Sequence, residues 1–83
     1  MVTLPVDLHA RPAGVLAKLA LGFQSRITLT AGEKTVDAKS ILKLLTLGAT
    51  AGTSVRVTAE GADAEVALAA VVGCLLDEGA AQT

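Results

Sequence analysis

The chain has 83 residues, is 52% hydrophobic and carries a formal net charge of −1, which predicts one domain spanning 1–83 with a small aliphatic core. Its longest apolar run, 66–76, is shorter than the roughly 20 residues that cross a bilayer, so we expect no membrane insertion, and no secretory signal pattern is visible. One phenylalanine, no other aromatic residue and no basic run exclude nucleic-acid binding. The single cysteine, Cys74, predicts a buried structural thiol, no internal disulfide and a cytoplasmic location.

The hydrophobic pattern predicts seven elements in the order βαββαβα. The strands are predicted at 2–6, 26–31, 34–38 and 53–59, and the helices at 10–21, 40–47 and 63–76. Period-two alternation marks the strands, Pro5 weakens the first of them, and Gly22 and Gly48 end the first two helices. Mostly antiparallel strands with helices on one face predict an α+β, open-faced two-layer sandwich.

Segment 8–14, Leu-His-Ala-Arg-Pro-Ala-Gly, contains the only histidine of the chain. Pro12 fits the first turn of a helix, where amides have no intrahelical acceptor, so the helix is predicted to start at Ala10. The free amides of Ala10 and Arg11, the helix dipole and the Arg11 guanidinium would then form an anion cradle beside His9. On composition alone, an alternative without an anion site is supported about equally: the histidine is a neighbour of the helix cap and the arginine is a solvated charge.

This segment resembles the active-site signature of HPr, Gly-Leu-His-(Ala/Thr)-Arg-Pro-Ala, the histidine-containing phosphocarrier family of the bacterial sugar phosphotransferase system. The resemblance implies a four-stranded sheet of order 1-4-2-3 with three helices on one face. It implies a carrier rather than an enzyme, in which Nδ1 of His9 accepts a phosphoryl group from enzyme I and passes it to EIIA acceptors. Arg11 would bind the phosphate oxygens, the Ala10 and Arg11 amides would position them, and Pro12 would fix the turn.

Segment 39–48 is the second informative run, because it matches the family pattern Lys-Ser-(Ile/Leu)-x-x-x-x-(Thr/Ser)-Leu-Gly. Ser40 is predicted to cap a helix. In many Gram-positive relatives a kinase phosphorylates a serine here, whereas enteric relatives have the serine without that kinase, so a serine kinase and a phosphatase are candidate partners. A helix this short cannot bury all its leucines on one side, and exposed apolar residues mark docking surfaces. The partner-interface candidates carried over from the family, together with one lysine of the first helix, are Lys18, Ile41, Leu42, Lys43, Leu45 and Thr46.

Charge and motif patterns complete the prediction of the site. All seven basic residues precede position 57, and we expect four of them to form a positive surface near His9, namely Arg11, Lys18, Lys39 and Lys43. Nothing in the spacing of acidic, cysteine or histidine residues predicts a metal site or a cofactor. Asp7 stands where the family signature has glycine, so the loop before His9 is expected to be built differently. A monomer is expected, although apolar Val15, Leu19 and Leu21 also suit a homodimer.

Two other functions compete with sugar-system phosphocarriage. One is a regulatory module that transfers no phosphoryl group and acts through phospho-Ser40; the presence of His9 favours a carrier instead. The other is a carrier of the nitrogen-related branch, against which the Lys39-Ser40 segment argues.

Overall fold

The computed structural model describes residues 2–5, 7–8 and 10–81, with side chains described as far as Leu76. The elements are β1 (Val2–Thr3), α1 (Ala10–Leu21), β2 (Arg26–Ala31), β3 (Lys34–Asp37), α2 (Ile41–Leu47), β4 (Ser54–Glu60) and α3 (Ala64–Ala81). The predicted order βαββαβα is confirmed.

The four strands form one antiparallel sheet of order β1-β4-β2-β3, as the resemblance implied. Leu29 of β2 pairs with Val57 of β4 on one side and Val36 of β3 on the other, so these three side chains form one row. Side chains alternate between the two faces of a strand, which places Leu29 in the core beneath the helices and the half-buried Thr28 on the opposite, open face. The sheet is therefore covered on one side only.

The helices fill the other layer with aliphatic side chains. α1 buries Ala13, Leu16, Ala17 and Ala20, the spacing of one helix face. α3 buries Ala67, Val71 and Leu75, which are four residues apart. The predicted aliphatic core is confirmed, whereas Cys74, predicted to be buried, is half-buried and packs against the edge of that core.

The element bounds differ from the prediction by single residues at β3, α2 and β4, and by more at β1 and α3. β1 ends at Thr3, and Leu4 then bonds to the loop before β4: its N–H donates to Thr53 O (3.0 Å) and its carbonyl accepts from Gly52 N–H (2.8 Å). Pro5 follows and has no N–H to donate, which ends the pairing. α3 continues past 76 to Ala81, because the residues there include good helix formers. Within the described part of the chain, none of the helices combines the length and hydrophobicity that a bilayer crossing requires.

Candidate functional site

The segment before α1 is held to the loop that follows α2. Leu8 is buried, and its N–H donates to the carbonyl of Ala49 (2.9 Å). Oδ1 of Asp7 accepts a hydrogen bond from the N–H of Ala51 (2.7 Å). The residue predicted to carry the phosphoryl group, His9, lies outside the described residues, but the two residues before it are fixed to a neighbouring loop.

The residues after position 9 begin α1 at Ala10, as predicted from Pro12. Ala10 and Arg11 are exposed, whereas Pro12 and Ala13 are buried against the core. The first-turn amides of a helix have no intrahelical acceptor and bind anions, and a guanidinium adds a planar pair of donors. The structure therefore brings Ala10, Arg11 and Pro12 together in one helical turn with the arginine open to solvent.

α2 runs antiparallel to α1, so its two ends lie in different surroundings. Its carboxyl end leads into Ala49, beside Leu8, whereas Lys39, just before its amino end, donates from Nζ to the carbonyl of Phe23 (2.8 Å) beyond the end of α1. Twelve helical residues span about 18 Å. The ammonium group of Lys39 therefore lies beyond the carboxyl end of α1, at the opposite end from Arg11, so the prediction that Lys39 and Arg11 contribute to one positive surface is wrong.

Ser40 is the N-cap of α2, as predicted. Its backbone is extended (φ −114°, ψ 113°), and its Oγ accepts a hydrogen bond from the N–H of Lys43 (3.2 Å). The helix ends at Gly48, whose φ of +65° is the left-handed conformation that suits glycine. Nζ of Lys34 donates to the carbonyl of Thr46 (2.6 Å) in the last turn. Both ends of this short helix are thus stabilised by specific donors and acceptors.

The outer face of α2 is exposed and largely apolar. Leu42 is 73% exposed, Ile41 48% and Leu45 39%, whereas Leu44 is fully buried. On α1, Arg11, Val15 and Lys18 are exposed and share one face through their i, i+4, i+7 spacing. The docking face is the name we give to one set of exposed residues on these two packed helices: Val15, Lys18, Ile41, Leu42, Lys43, Leu45 and Thr46.

An open pocket of about 260 Å³ lies between the docking face and the segment before α1. Its lining residues come from the segment before α1, from α2 and from the following loop, namely Asp7, Leu8, Leu45, Gly48, Ala49 and Thr50. Leu45 belongs to both the pocket and the docking face, so the two surfaces are continuous. Among the residues that the structure describes, no cluster of three acidic, histidine or cysteine side chains is arranged to hold a metal ion.

The family model described as "PTS HPr component phosphorylation site" matches residues 1–76. The chain belongs to the HPr family. It is 42% identical to "Phosphocarrier protein HPr" of Mycoplasma capricolum subsp. capricolum, over 93% of this chain and 86% of that one. A solved Mycoplasma histidine-containing phosphocarrier protein superposes with a TM-score of 0.87 at 40% identity, covering 95% of this chain and 90% of that chain.

Two further matches are a much longer protein and the structure of a dimer. A "Multiphosphoryl transfer protein" of Xanthomonas campestris pv. campestris is 46% identical over 81% of this chain, which spans only 8% of that longer protein. A solved structure described as an HPr dimer from Thermoanaerobacter tengcongensis matches with a TM-score of 0.75 and 42% identity, over 80% of this chain and 76% of that one. The monomer expected from the sequence stays a prediction.

Two contacts of this HPr-family chain were not predicted from the sequence, and in both an aspartate side chain accepts the hydrogen bonds. The sequence showed Asp7 in place of the signature glycine but not its bond to Ala51. It placed Asp63 in the first turn of α3, whereas Asp63 precedes α3 and accepts hydrogen bonds from Gln24 and Ser25. No local sequence signal identifies partners so far along the chain.

Proposed function

We propose that the protein is a phosphocarrier that accepts a phosphoryl group on Nδ1 of His9 from phospho-enzyme I and passes it to EIIA acceptors of sugar permeases in the cytoplasm. The observation that supports this most is the surroundings of position 9. Immediately before it lies an anchored loop, and immediately after it lies a helix N-terminus with an exposed arginine. Family membership supports the same role.

The chemistry needs little beyond these groups. A neutral imidazole is nucleophilic near pH 7 and attacks the phosphorus of the donor, so that a new N–P bond forms as the donor's bond to phosphorus breaks. Arg11 and the amides of Ala10 and Arg11 neutralise and orient the phosphoryl oxygens. Because these donors are open to solvent, they stabilise the phosphoryl group only modestly, which keeps onward transfer feasible.

The docking face supports transient contact with partner proteins. It combines exposed apolar side chains, of which Leu42 is the most exposed, with the exposed basic residues Lys18 and Lys43, and Arg11 lies in the adjoining first turn of α1. Interfaces with an apolar centre and a charged rim are typical of transient complexes, and the positive charges favour acidic partners. We assign partner binding to this face and phosphoryl transfer to the turn beside it.

The decisive experiment is phosphorylation with phosphoenolpyruvate and purified enzyme I. We expect one acid-labile phosphoryl group per protein, none on a His9→Ala variant and full labelling of a Ser40→Ala variant. The proposal fails if His9→Ala is labelled as well as the unchanged protein.

A second candidate is a regulatory module that acts through phospho-Ser40. The position of Ser40 favours it, because its Oγ lies at the start of α2, next to the exposed Ile41 and Leu42. A phosphate there would add nearly two negative charges beside a face suited to acidic partners. Acid-stable label from a serine kinase on Ser40, removable by a phosphatase, together with no label on His9, would favour this function over phosphocarriage.

A further inference from the structure

Asp7 lies directly before Leu8 and two residues before His9, and its side chain acts as an anchor. Oδ1 of Asp7 accepts from the N–H of Ala51 at 2.7 Å, across 44 residues of sequence. The next residue, Leu8, donates its own N–H to Ala49 at 2.9 Å. Two successive residues therefore hold the same loop, one as acceptor and one as donor, at the point where the chain enters the transfer site.

The loop that receives these bonds is itself closed by a turn. Thr53 N–H donates to the carbonyl of Thr50 (3.0 Å), and Thr50 N–H donates to Oγ1 of Thr53 (3.2 Å). Gly52, with φ +88°, allows the chain to reverse and donates to Leu4 O (2.8 Å). The Ala51 N–H is thus presented by a fixed frame, and a carboxylate acceptor makes its bond stronger than one between neutral groups.

We propose that Asp7 is a positioning residue for phosphoryl transfer, because its carboxylate fixes the backbone that leads into His9. This inference rests on the proposed function. The family signature has glycine at this place, which offers no side chain, whereas this chain has Asp7, whose carboxylate makes the bond. Transfer rates depend steeply on the placement of the attacking atom, which makes such an anchor valuable even though it touches no substrate.

The test compares four proteins: unchanged, Asp7→Ala, Asp7→Asn and Asp37→Ala. Asp37→Ala is the matched control. Oδ1 of Asp37 also accepts a hydrogen bond from a backbone N–H, that of Lys39 (2.8 Å), but this bond lies just before the amino end of α2, away from Leu8 and Ala49. Initial rates of phosphorylation by enzyme I and phosphoenolpyruvate give kcat and KM for each carrier. Amide exchange measured by NMR reports separately whether the Ala51 N–H has lost its acceptor.

For Asp7→Ala we expect kcat to fall about tenfold, the factor expected from one lost hydrogen bond to a charged acceptor, with KM within about twofold. Asp7→Asn keeps an oxygen acceptor at the same place and should recover at least about half of the rate. Asp37→Ala should match the unchanged protein. Ala51 exchange should be faster in Asp7→Ala only.

The results separate anchoring from other roles. If Asp7→Ala exposes Ala51 to exchange while kcat stays within about twofold, the anchor is merely structural and the proposal is overturned. If Asp7→Asn, with Ala51 still protected, is as slow as Asp7→Ala, the charge matters rather than the anchor, and the proposal is again overturned. If the unchanged protein takes no label on His9, phosphocarriage itself fails, which is a distinct result.

Discussion

The carboxylate of Asp63 accepts hydrogen bonds from both the backbone N–H (2.9 Å) and the hydroxyl of Ser25, 38 residues earlier in the chain. A third bond comes from the N–H of Gln24 (2.9 Å). Ser25 is almost fully buried in the loop after α1, and Asp63 directly precedes α3. These bonds link the loop before β2 to the segment before α3, at the end of the molecule away from the transfer site.

Because Asp63 accepts these hydrogen bonds as a carboxylate, we expect the stability of the fold to decrease in acid. The Ser25 hydroxyl, followed by the Gln24 amide, holds the pKa of Asp63 below its ordinary value of 3.8. Because the folded pKa is below the unfolded one, this stabilisation is present above about pH 4 and disappears as the pH falls through the folded pKa. We expect the free energy of unfolding, measured with urea from pH 7 to pH 2.5, to fall less steeply in Asp63→Asn. Glu65→Gln is the control, and parallel curves for Asp63→Asn and the unchanged protein would contradict the prediction.

Gly61 lies beside Ser25 in the same contact, and we expect its replacement to lower the stability of the fold. A Cβ at Gly61 would lie 2.7 Å from Oγ and 2.8 Å from Cα of Ser25, and the φ of Gly61 is +144°. Gly61→Ala should therefore lower the free energy of unfolding by about 2–4 kcal/mol, through backbone strain and overpacking. Gly73→Ala is the matched control: its Cβ would meet nothing within 4 Å, and it should stabilise α3 by about 0.5–1 kcal/mol. Equal effects of the two substitutions in denaturant titrations would refute this account.

Local signals made most of the fold predictable. Pro12 marked the start of α1, Gly48 the end of α2, and the alternation around Ile27 and Leu29 marked β2, since each signal acts within a few residues. Leu45, named from the sequence as an interface candidate, is 39% exposed.

Contacts between distant residues were not predictable. Asp7 meets Ala51 44 residues away, and Lys39 reaches the carbonyl of Phe23 16 residues away. One sequence carries no record of which polar groups meet across the fold. The expectation for Lys39 failed for this reason, because its distance from the first turn of α1 depends on how α2 packs against α1.

Two substitutions of Ser40 should separate its effect on stability from its effect on docking. Ser40→Ala removes the acceptor of the Lys43 N–H and should cost about 1 kcal/mol in urea unfolding. Ser40→Asp keeps a capping oxygen and most of the stability, but its charge beside the docking face should raise the KM of enzyme I for the carrier. An unchanged KM for Ser40→Asp would argue against a regulatory role, and unchanged stability of Ser40→Ala would argue against the cap.

Leu42 and Leu44 lie on the same helix, but we expect substitution of Leu42 to weaken docking and substitution of Leu44 to lower stability. Leu42 is 73% exposed, so Leu42→Ser should change the free energy of unfolding by no more than about 0.5 kcal/mol and raise the KM about tenfold by removing an apolar contact. Leu44 is fully buried, so Leu44→Ala should cost about 2–5 kcal/mol. The measurements are urea unfolding and phosphorylation kinetics. A normal KM for Leu42→Ser would remove Leu42 from the docking face.

Arg11 and Lys18 are both exposed cations of α1, but we expect them to affect different steps. Arg11 is in the first turn, so Arg11→Ala should lower kcat about 100-fold with little change in KM, because it removes charge stabilisation of the transferring group. Arg11→Lys keeps the charge but loses the planar pair of donors, and should recover only part of the rate. Lys18 lies two turns further along, so Lys18→Ala should raise KM at low salt, an effect that fades as salt screens the attraction. If Lys18→Ala lowered kcat as much as Arg11→Ala, the division between transfer turn and docking face would be wrong.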